Sequence, residues 1–213
     1  PDVSHLQSDI EVTRLEQEMR GLEGREAIGQ WLGQYPDLKK AYFKAGRSMP
    51  DSMVVSKVQA FLDYKFNDTL FIDAKNIFGD FTPWEQELEE GFAYMKYYFP
   101  DFDPPEVYTI VTGFGKFGFG NDIFYQQDMV VLGLDWFGGE ASTYRPGIYN
   151  YLLKRYSPER MVPMLFKVNI SSQYNRQASN SSTLLSDMLY FGKANYFASR
   201  MLPSTPDSLI IGF

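Results

Sequence analysis

The 213-residue sequence has no cysteine and a single histidine, His5. Without thiols there is no disulfide, no thiolate metal site and no cysteine nucleophile. One imidazole cannot supply H-E-x-x-H, a Ser-His-Asp triad or a multi-histidine metal centre. No apolar run reaches 18 residues, so no stretch reads as a membrane-spanning helix. Basic residues are few: 20 Lys and Arg against 27 Asp and Glu, a net charge of −7. That balance argues against sequence-independent nucleic-acid binding, which needs clustered cations on phosphates. It also weakens any case for adsorption to anionic lipid. Repeats and low-complexity tracts are absent as well.

Aromatic residues are plentiful, with 18 Phe, 15 Tyr and 3 Trp. Their placement along the chain gives mostly helical segments and a small sheet. Residues 1–9 read as a loose polar segment, and residues 10–213 as a single α+β domain. Ile10-Glu11-Val12 alternates as a short strand. Helical periodicity runs from Leu15 to Gln34 with a break near Gly21–Gly24, then over Asp37–Ala45, Asp51–Leu62 and Asp68–Phe78. Thr82-Pro83-Trp84-Glu85 reads as a capping box with proline at the first helical position. The helix it opens carries Trp84, Leu88, Gly91, Phe92, Met95 and Phe99 on one face. Its acids, Glu85, Glu87, Glu89 and Glu90, are read as a solvated face.

Three strands follow by β-branched and apolar content: Val107–Val111, Ile123–Gln127 and Met129–Asp135. Between the first two, Gly113-Phe-Gly-Lys-Phe-Gly118 matches G-x-G-x-x-G. No helical pattern comes directly after it, so the dinucleotide reading lacks its context and a loop or hairpin is expected. A short helix is expected over Ile148–Arg155. The fold class is therefore α+β, mostly helical, with about three strands, partly antiparallel, flanked by helices.

The last third organises the chain. Ser157-Pro158-Glu159 is a helix start, and Pro163 is expected to bend or interrupt the helix running to Tyr174. Gln173–Ser182 reads as a polar loop. A second helix spans Ser182–Pro203. On it Leu185, Met188, Leu189, Gly192 and Tyr196 share one face, read as core, with Gly192 as a close-approach notch toward Met164–Asn169.

These segments carry a resemblance. Asp187-Met-Leu-Tyr-Phe-Gly-Lys-Ala-Asn-Tyr-Phe-Ala and Pro206-Asp-Ser-Leu-Ile-Ile-Gly-Phe213 are similar to the gliding-motility lipoprotein GldB family of Bacteroidetes. So are Tyr94-Met-Lys-Tyr-Tyr-Phe-Pro-Asp, Val107-Tyr-Thr-Ile-Val-Thr-Gly-Phe, Leu132-Gly-Leu-Asp-Trp-Phe-Gly-Gly and Tyr156-Ser-Pro-Glu-Arg-Met-Val-Pro. The matches span Ile10 to Phe213. The resemblance implies a periplasm-facing lipoprotein of the cell envelope, accessory to gliding motility or secretion. Family members carry a lipidated cysteine ahead of such a domain and continue past Ile-Gly-Phe, so the membrane is expected to be met only through an anchor outside this sequence.

The family is itself distantly similar to zincin-like metallopeptidases, in which a helix with H-E-x-x-H precedes a helix with E-G-x-A. Here Phe191-Gly192-Lys193-Ala194 stands for the second motif, and Met161–Ser172 contains no histidine for the first. The implied fold is a degenerate zincin with no metal and no cofactor: a pseudoenzyme that binds a protein or an envelope component. Phe191 is expected to help fill the space where zinc would sit. The candidate cleft residues are Asp135, Trp136, Phe137, Tyr190, Phe191, Lys193 and Tyr196. Strand or turn capping is the simpler account of Asp135, and core packing with a snorkelling ammonium that of Tyr190, Tyr196 and Lys193. The alternative is a metal-independent, glycan-directed hydrolase. It would pair Asp135 with Asp122 or Asp128 beside an aromatic platform of Phe119, Phe124, Tyr125, Trp136 and Phe137.

Overall fold

The computed structural model describes residues 1–6, 10–46, 48–118, 120, 122–126, 128–175 and 183–212. Phe119, Gln127, Phe213 and most of the Gln173–Ser182 loop lie outside the described residues. The sheet has four strands in the order β1-β2-β4-β3: β1 (Val12–Arg14), β2 (Glu106–Ile110), β3 (Ile123–Gln126) and β4 (Met129–Gly133). β1, β2 and β4 run parallel, with Val12 beside Val107 and Val107 beside Val130. β3 closes one edge antiparallel, pairing Ile123 with Leu132. All five residues of β4 are buried, as its unbroken apolar run requires of a strand covered on both faces.

Helices cover the sheet. From the N-terminal side come α1 (Leu15–Met19), α2 (Gly24–Gln34), α3 (Pro36–Ala41), α4 (Asp51–Leu62), α5 (Phe66–Phe78) and α6 (Thr82–Tyr98). Residues 1–6 lie against α6, where Val3 is buried and the Tyr94 hydroxyl donates to the Pro1 carbonyl at 3.2 Å. α6 buries Leu88, Gly91, Phe92 and Met95, the stripe read from the sequence. Its start is capped differently from the expected box. The helix already includes Thr82, whose N–H donates to Asp80 Oδ1 at 3.1 Å.

After the strands come α7 (Asn150–Leu153) and a continuous helical segment. It consists of a 3₁₀ turn at Pro158–Arg160, α8 (Met161–Met164), a π-helical stretch at Leu165–Ile170 and α9 (Ser171–Tyr174). Pro163 does not interrupt it. It sits in the first turn of α8, where backbone N–H groups have no partner within the helix, so the missing donor costs little. α10 (Leu184–Met201) follows, capped by the Thr183 hydroxyl accepting from Ser186 N–H at 3.2 Å, and then α11 (Asp207–Ile211). The helical segment and α10 pack side by side next to β3. Tyr125 on β3 donates its hydroxyl to Gln173 Oε1, and Asn175 Nδ2 donates to the Tyr190 carbonyl.

Which face of α10 is buried reverses the sequence reading. Leu185 is 64% exposed, Met188 62%, Leu189 54% and Tyr196 68%. The buried residues are Ala194, Ala198 and Met201, also at helical spacing. Nothing lies within 4 Å of a Cβ built on Gly192, so it is no notch, and Phe191 at 59% exposure fills no vacant metal position. The close-approach glycine is Gly91 on α6. A Cβ there would fall 2.2 Å from the Phe166 ring and 2.9 Å from Leu202. Gly91→Ala should therefore overpack and lose about 1–3 kcal/mol. Gly192→Ala, with open space and better helix propensity, should gain about 0.5–1 kcal/mol. Urea titrations of the two variants against the parent check the opposite signs.

Candidate functional site

The seven residues picked from the sequence fall into two places. Asp135, Trp136 and Phe137 form a 3₁₀ turn directly after β4. Phe137 is fully buried in the core beneath Tyr156. The Asp135 carboxylate is buried too, and it faces the glycine loop. It accepts from Thr112 N–H at 2.8 Å, Phe114 N–H at 2.7 Å and the Thr112 hydroxyl at 3.0 Å. Trp136 Nε1 donates to that same hydroxyl at 3.0 Å. Gly113, Phe114 and Gly115 all have positive φ, a run that curls successive N–H groups inward onto an anion. No helix begins between Gly113 and Gly118, and the anion held there is the chain's own carboxylate.

The acids weighed as partners of Asp135 are engaged elsewhere. Asp122 accepts from Ile123 N–H and from the Tyr156 hydroxyl. Asp128 lines a cleft of about 740 Å³ beyond the β3–β4 turn, with Asp37, Asp101, Asp103 and Glu106. Burial pushes the Asp135 carboxyl above the usual range, the two N–H donors pulling the other way. Of the aromatic platform, Phe124 packs edge-on against Tyr42, and Tyr125 lines the acidic cleft instead. Phe119 lies outside the described residues.

Tyr190, Phe191, Lys193 and Tyr196 lie on α10 and flank two grooves. On one side Tyr190 and Phe191 border a groove of about 230 Å³. Its floor is apolar, from Met164, Val168, Ala194 and Ile210, and its rim carries Arg155, Arg160 and Lys167. The sequence reading missed these three cations. The Lys167 ammonium donates to the carbonyls of Ile210 at 2.8 Å and Ile211 at 3.2 Å, so it caps the C-terminus of α11. Burial, together with Arg155 and Arg160, holds its pKa below the ordinary lysine value. On the other side Lys193 and Tyr196 border an aromatic groove of about 480 Å³ with Tyr98, Phe99, Tyr174 and Phe197. Tyr174 and Phe197 stack there at 5.8 Å, inclined by 19°.

Between the grooves α10 stands proud of the protein. No residue of the helix before Ala194 is buried. Leu184, Leu185, Met188, Leu189 and Phe191 are all more than half exposed. A monomer seldom leaves so contiguous an apolar patch open without an interaction to serve.

Along its whole length, residues 1–213, the chain matches the family model described as gliding motility protein GldB. The chain belongs to the GldB family. It is accordingly a gliding-motility-associated lipoprotein of the cell envelope. No curated protein and no solved structure matches it. Among the described residues no group of three or more His, Cys, Asp or Glu is placed to hold a metal ion. The residues present do not fit a zincin's metal. Purified protein is accordingly expected to carry no stoichiometric zinc. Elemental analysis after dialysis checks this, and one tightly held zinc per chain would contradict it.

Proposed function

We propose that the chain is a non-catalytic, periplasm-facing accessory of the gliding and secretion machinery. It binds a protein or envelope component through the face built around α10, and a lipid anchor holds it at the membrane. Residues 10–213 act as one domain. The observation that carries this reading is the apolar, solvent-facing N-terminal half of α10 between its two grooves. The degenerate zincin-like reading draws support from the arrangement of elements. A helical segment runs beside the antiparallel edge strand β3, and a second helix packs against it. A zinc peptidase holds its metal between two such helices, whereas this pair carries no imidazole. The pair thus serves shape rather than hydrolysis, and Tyr190, Phe191, Lys193 and Tyr196 belong to its binding surface.

The test is replacement of exposed α10 residues that support no core. Leu185→Asp combined with Met188→Asp should leave the thermal midpoint within a few degrees of the parent, as surface changes usually do. The same variant should fail to restore gliding in a strain deleted for its own family member, while the chain accumulates to normal level. Full restoration would contradict the assignment of function to this face.

A further inference from the structure

Around the N-terminal half of α10, charge and apolar surface are arranged together. Leu184, Met188 and Phe191 follow one another at helical spacing, and Leu185 and Leu189 form a second row beside them. At 100° per residue the two rows span about 160° of the helix circumference. That is wider than the narrow seam with which one helix docks on another. Val168, 52% exposed on the π segment, extends the patch across the neighbouring groove. The side chains of the two rows are aliphatic apart from Phe191, and Tyr196, 68% exposed, continues the same face toward the C-terminus.

Cations flank both sides of this helix. Arg155, Arg160 and Lys167 rim the groove on one flank, and Lys193 and Arg200 border the groove on the other. Asp187 is the only acid on α10. The net charge of −7 does not oppose this locally. At physiological salt the screening length is about 8 Å, so carboxylates on remote faces, such as those lining the acidic cleft, contribute little here.

From this geometry we propose that the N-terminal half of α10 seats on a bilayer surface containing anionic phospholipid. The aliphatic side chains enter the acyl boundary, and the exposed Arg155 at the groove rim meets lipid phosphates. An interfacial helix binds membranes in this way, by apolar burial reinforced with Lys and Arg. The proposal rests on the reading that the α10 face is the working surface, and it names what that surface meets. Belonging to an envelope lipoprotein family places the domain within reach of a bilayer. Once a tether does so, a second weak contact is strengthened by effective concentration.

The experiment is cosedimentation of the 213-residue chain with extruded vesicles at physiological salt. Phosphatidylethanolamine mixed with phosphatidylglycerol is compared with phosphatidylcholine alone. Binding to the anionic vesicles is expected to be at least about tenfold stronger, a difference of about 1.4 kcal/mol. Leu185→Asp with Leu189→Asp should lower it about tenfold or more, and Arg155→Glu severalfold, with far-ultraviolet circular dichroism unchanged. Absence of vesicle binding by the parent, or equal binding by the Leu185/Leu189 variant, overturns the bilayer assignment. If the parent ignores vesicles while the Leu185/Met188 variant still abolishes gliding, the face works on a protein and the functional proposal stands without the lipid. If vesicles bind as expected and that variant glides normally, the lipid seat stands and the functional proposal falls.

Discussion

Glu16→Ala is expected to cost about 3–5 kcal/mol, the usual penalty for removing one partner of a buried ion pair. Glu16 is 5% exposed at the start of α1. One carboxylate oxygen accepts from Arg14 Nε at 2.7 Å, and the other from the Thr109 hydroxyl at 2.6 Å. The Arg14 guanidinium also donates to the Thr109 hydroxyl and to the Phe78 carbonyl, and it lies 4.6 Å above the Phe81 ring. The network thus joins β1, α1, β2 and the end of α5. Its register is set by the parallel pairing that puts Arg14 beside Thr109. Alanine at position 16 leaves the part-buried guanidinium at the sheet edge without its counter-charge, and leaves the Thr109 hydroxyl without its acceptor. The double replacement Arg14→Met with Glu16→Leu should recover most of the loss, because exchanging a whole buried pair for apolar groups is often neutral. Denaturant unfolding of the parent, the single variant and the pair measures this. A single variant losing under 1 kcal/mol would show that water reaches the pair and that the network does little for the fold.

That network was invisible in the sequence for a simple reason. Arg14 and Glu16 carry no local mark of burial in the sequence, and Thr109 lies 95 residues from Arg14. The strands were legible because β-branched and apolar runs mark them locally. The short strand read at Ile10–Val12 lies two residues on, at Val12–Arg14, and joins the other three as a parallel edge. Most helix positions were legible as well, whereas α11 at Asp207–Ile211 was not read. The burial of α10 was not. Periodicity says which residues share a face, but not which face meets the protein. Ranking by size pointed to Leu185, Met188, Leu189 and Tyr196. Close packing against α6 and the π segment selected Ala194 and Ala198 instead, since small side chains let backbones approach. The same bias placed the close-approach glycine on α10 at Gly192, when the tight contact is made by Gly91 on α6 with Phe166 inserted against it. The π stretch left no recognisable signal. The groove cations are scattered between Arg155 and Lys167, and only the return of α11 brings a shared rim into being.

Asp135→Ala is expected to cost about 3–5 kcal/mol, as the sum of several buried donors that each lose an acceptor at about 1–3 kcal/mol. Those donors are Thr112 N–H, Phe114 N–H and the Thr112 hydroxyl. Their loss removes what holds Gly113, Phe114 and Gly115 at positive φ, a conformation that costs a non-glycine residue such as Phe114 roughly 1 kcal/mol or more. Asp135→Asn keeps the shape but can offer only one carbonyl oxygen, so its amide N–H₂ meets one of the two backbone donors head-on. The pH dependence has a definite sign. Burial raises the folded-state pKa of this carboxyl above its unfolded value. Between the two values the folded chain therefore binds more protons than the unfolded one. The contribution of the group is largest below the ordinary carboxylate pKa of about 3.9 and declines as pH rises through the folded value. The stability gap between parent and Asp135→Asn should accordingly be wider in mild acid than at neutral pH. Urea titrations across that range test it. A gap that widens with rising pH would mean that the N–H donors outweigh burial and hold the carboxylate ionised. Loop opening should show independently, as faster amide exchange at Phe114 and Gly115 and a changed Trp136 emission, because the Trp136 indole N–H donates to the Thr112 hydroxyl that Asp135 positions.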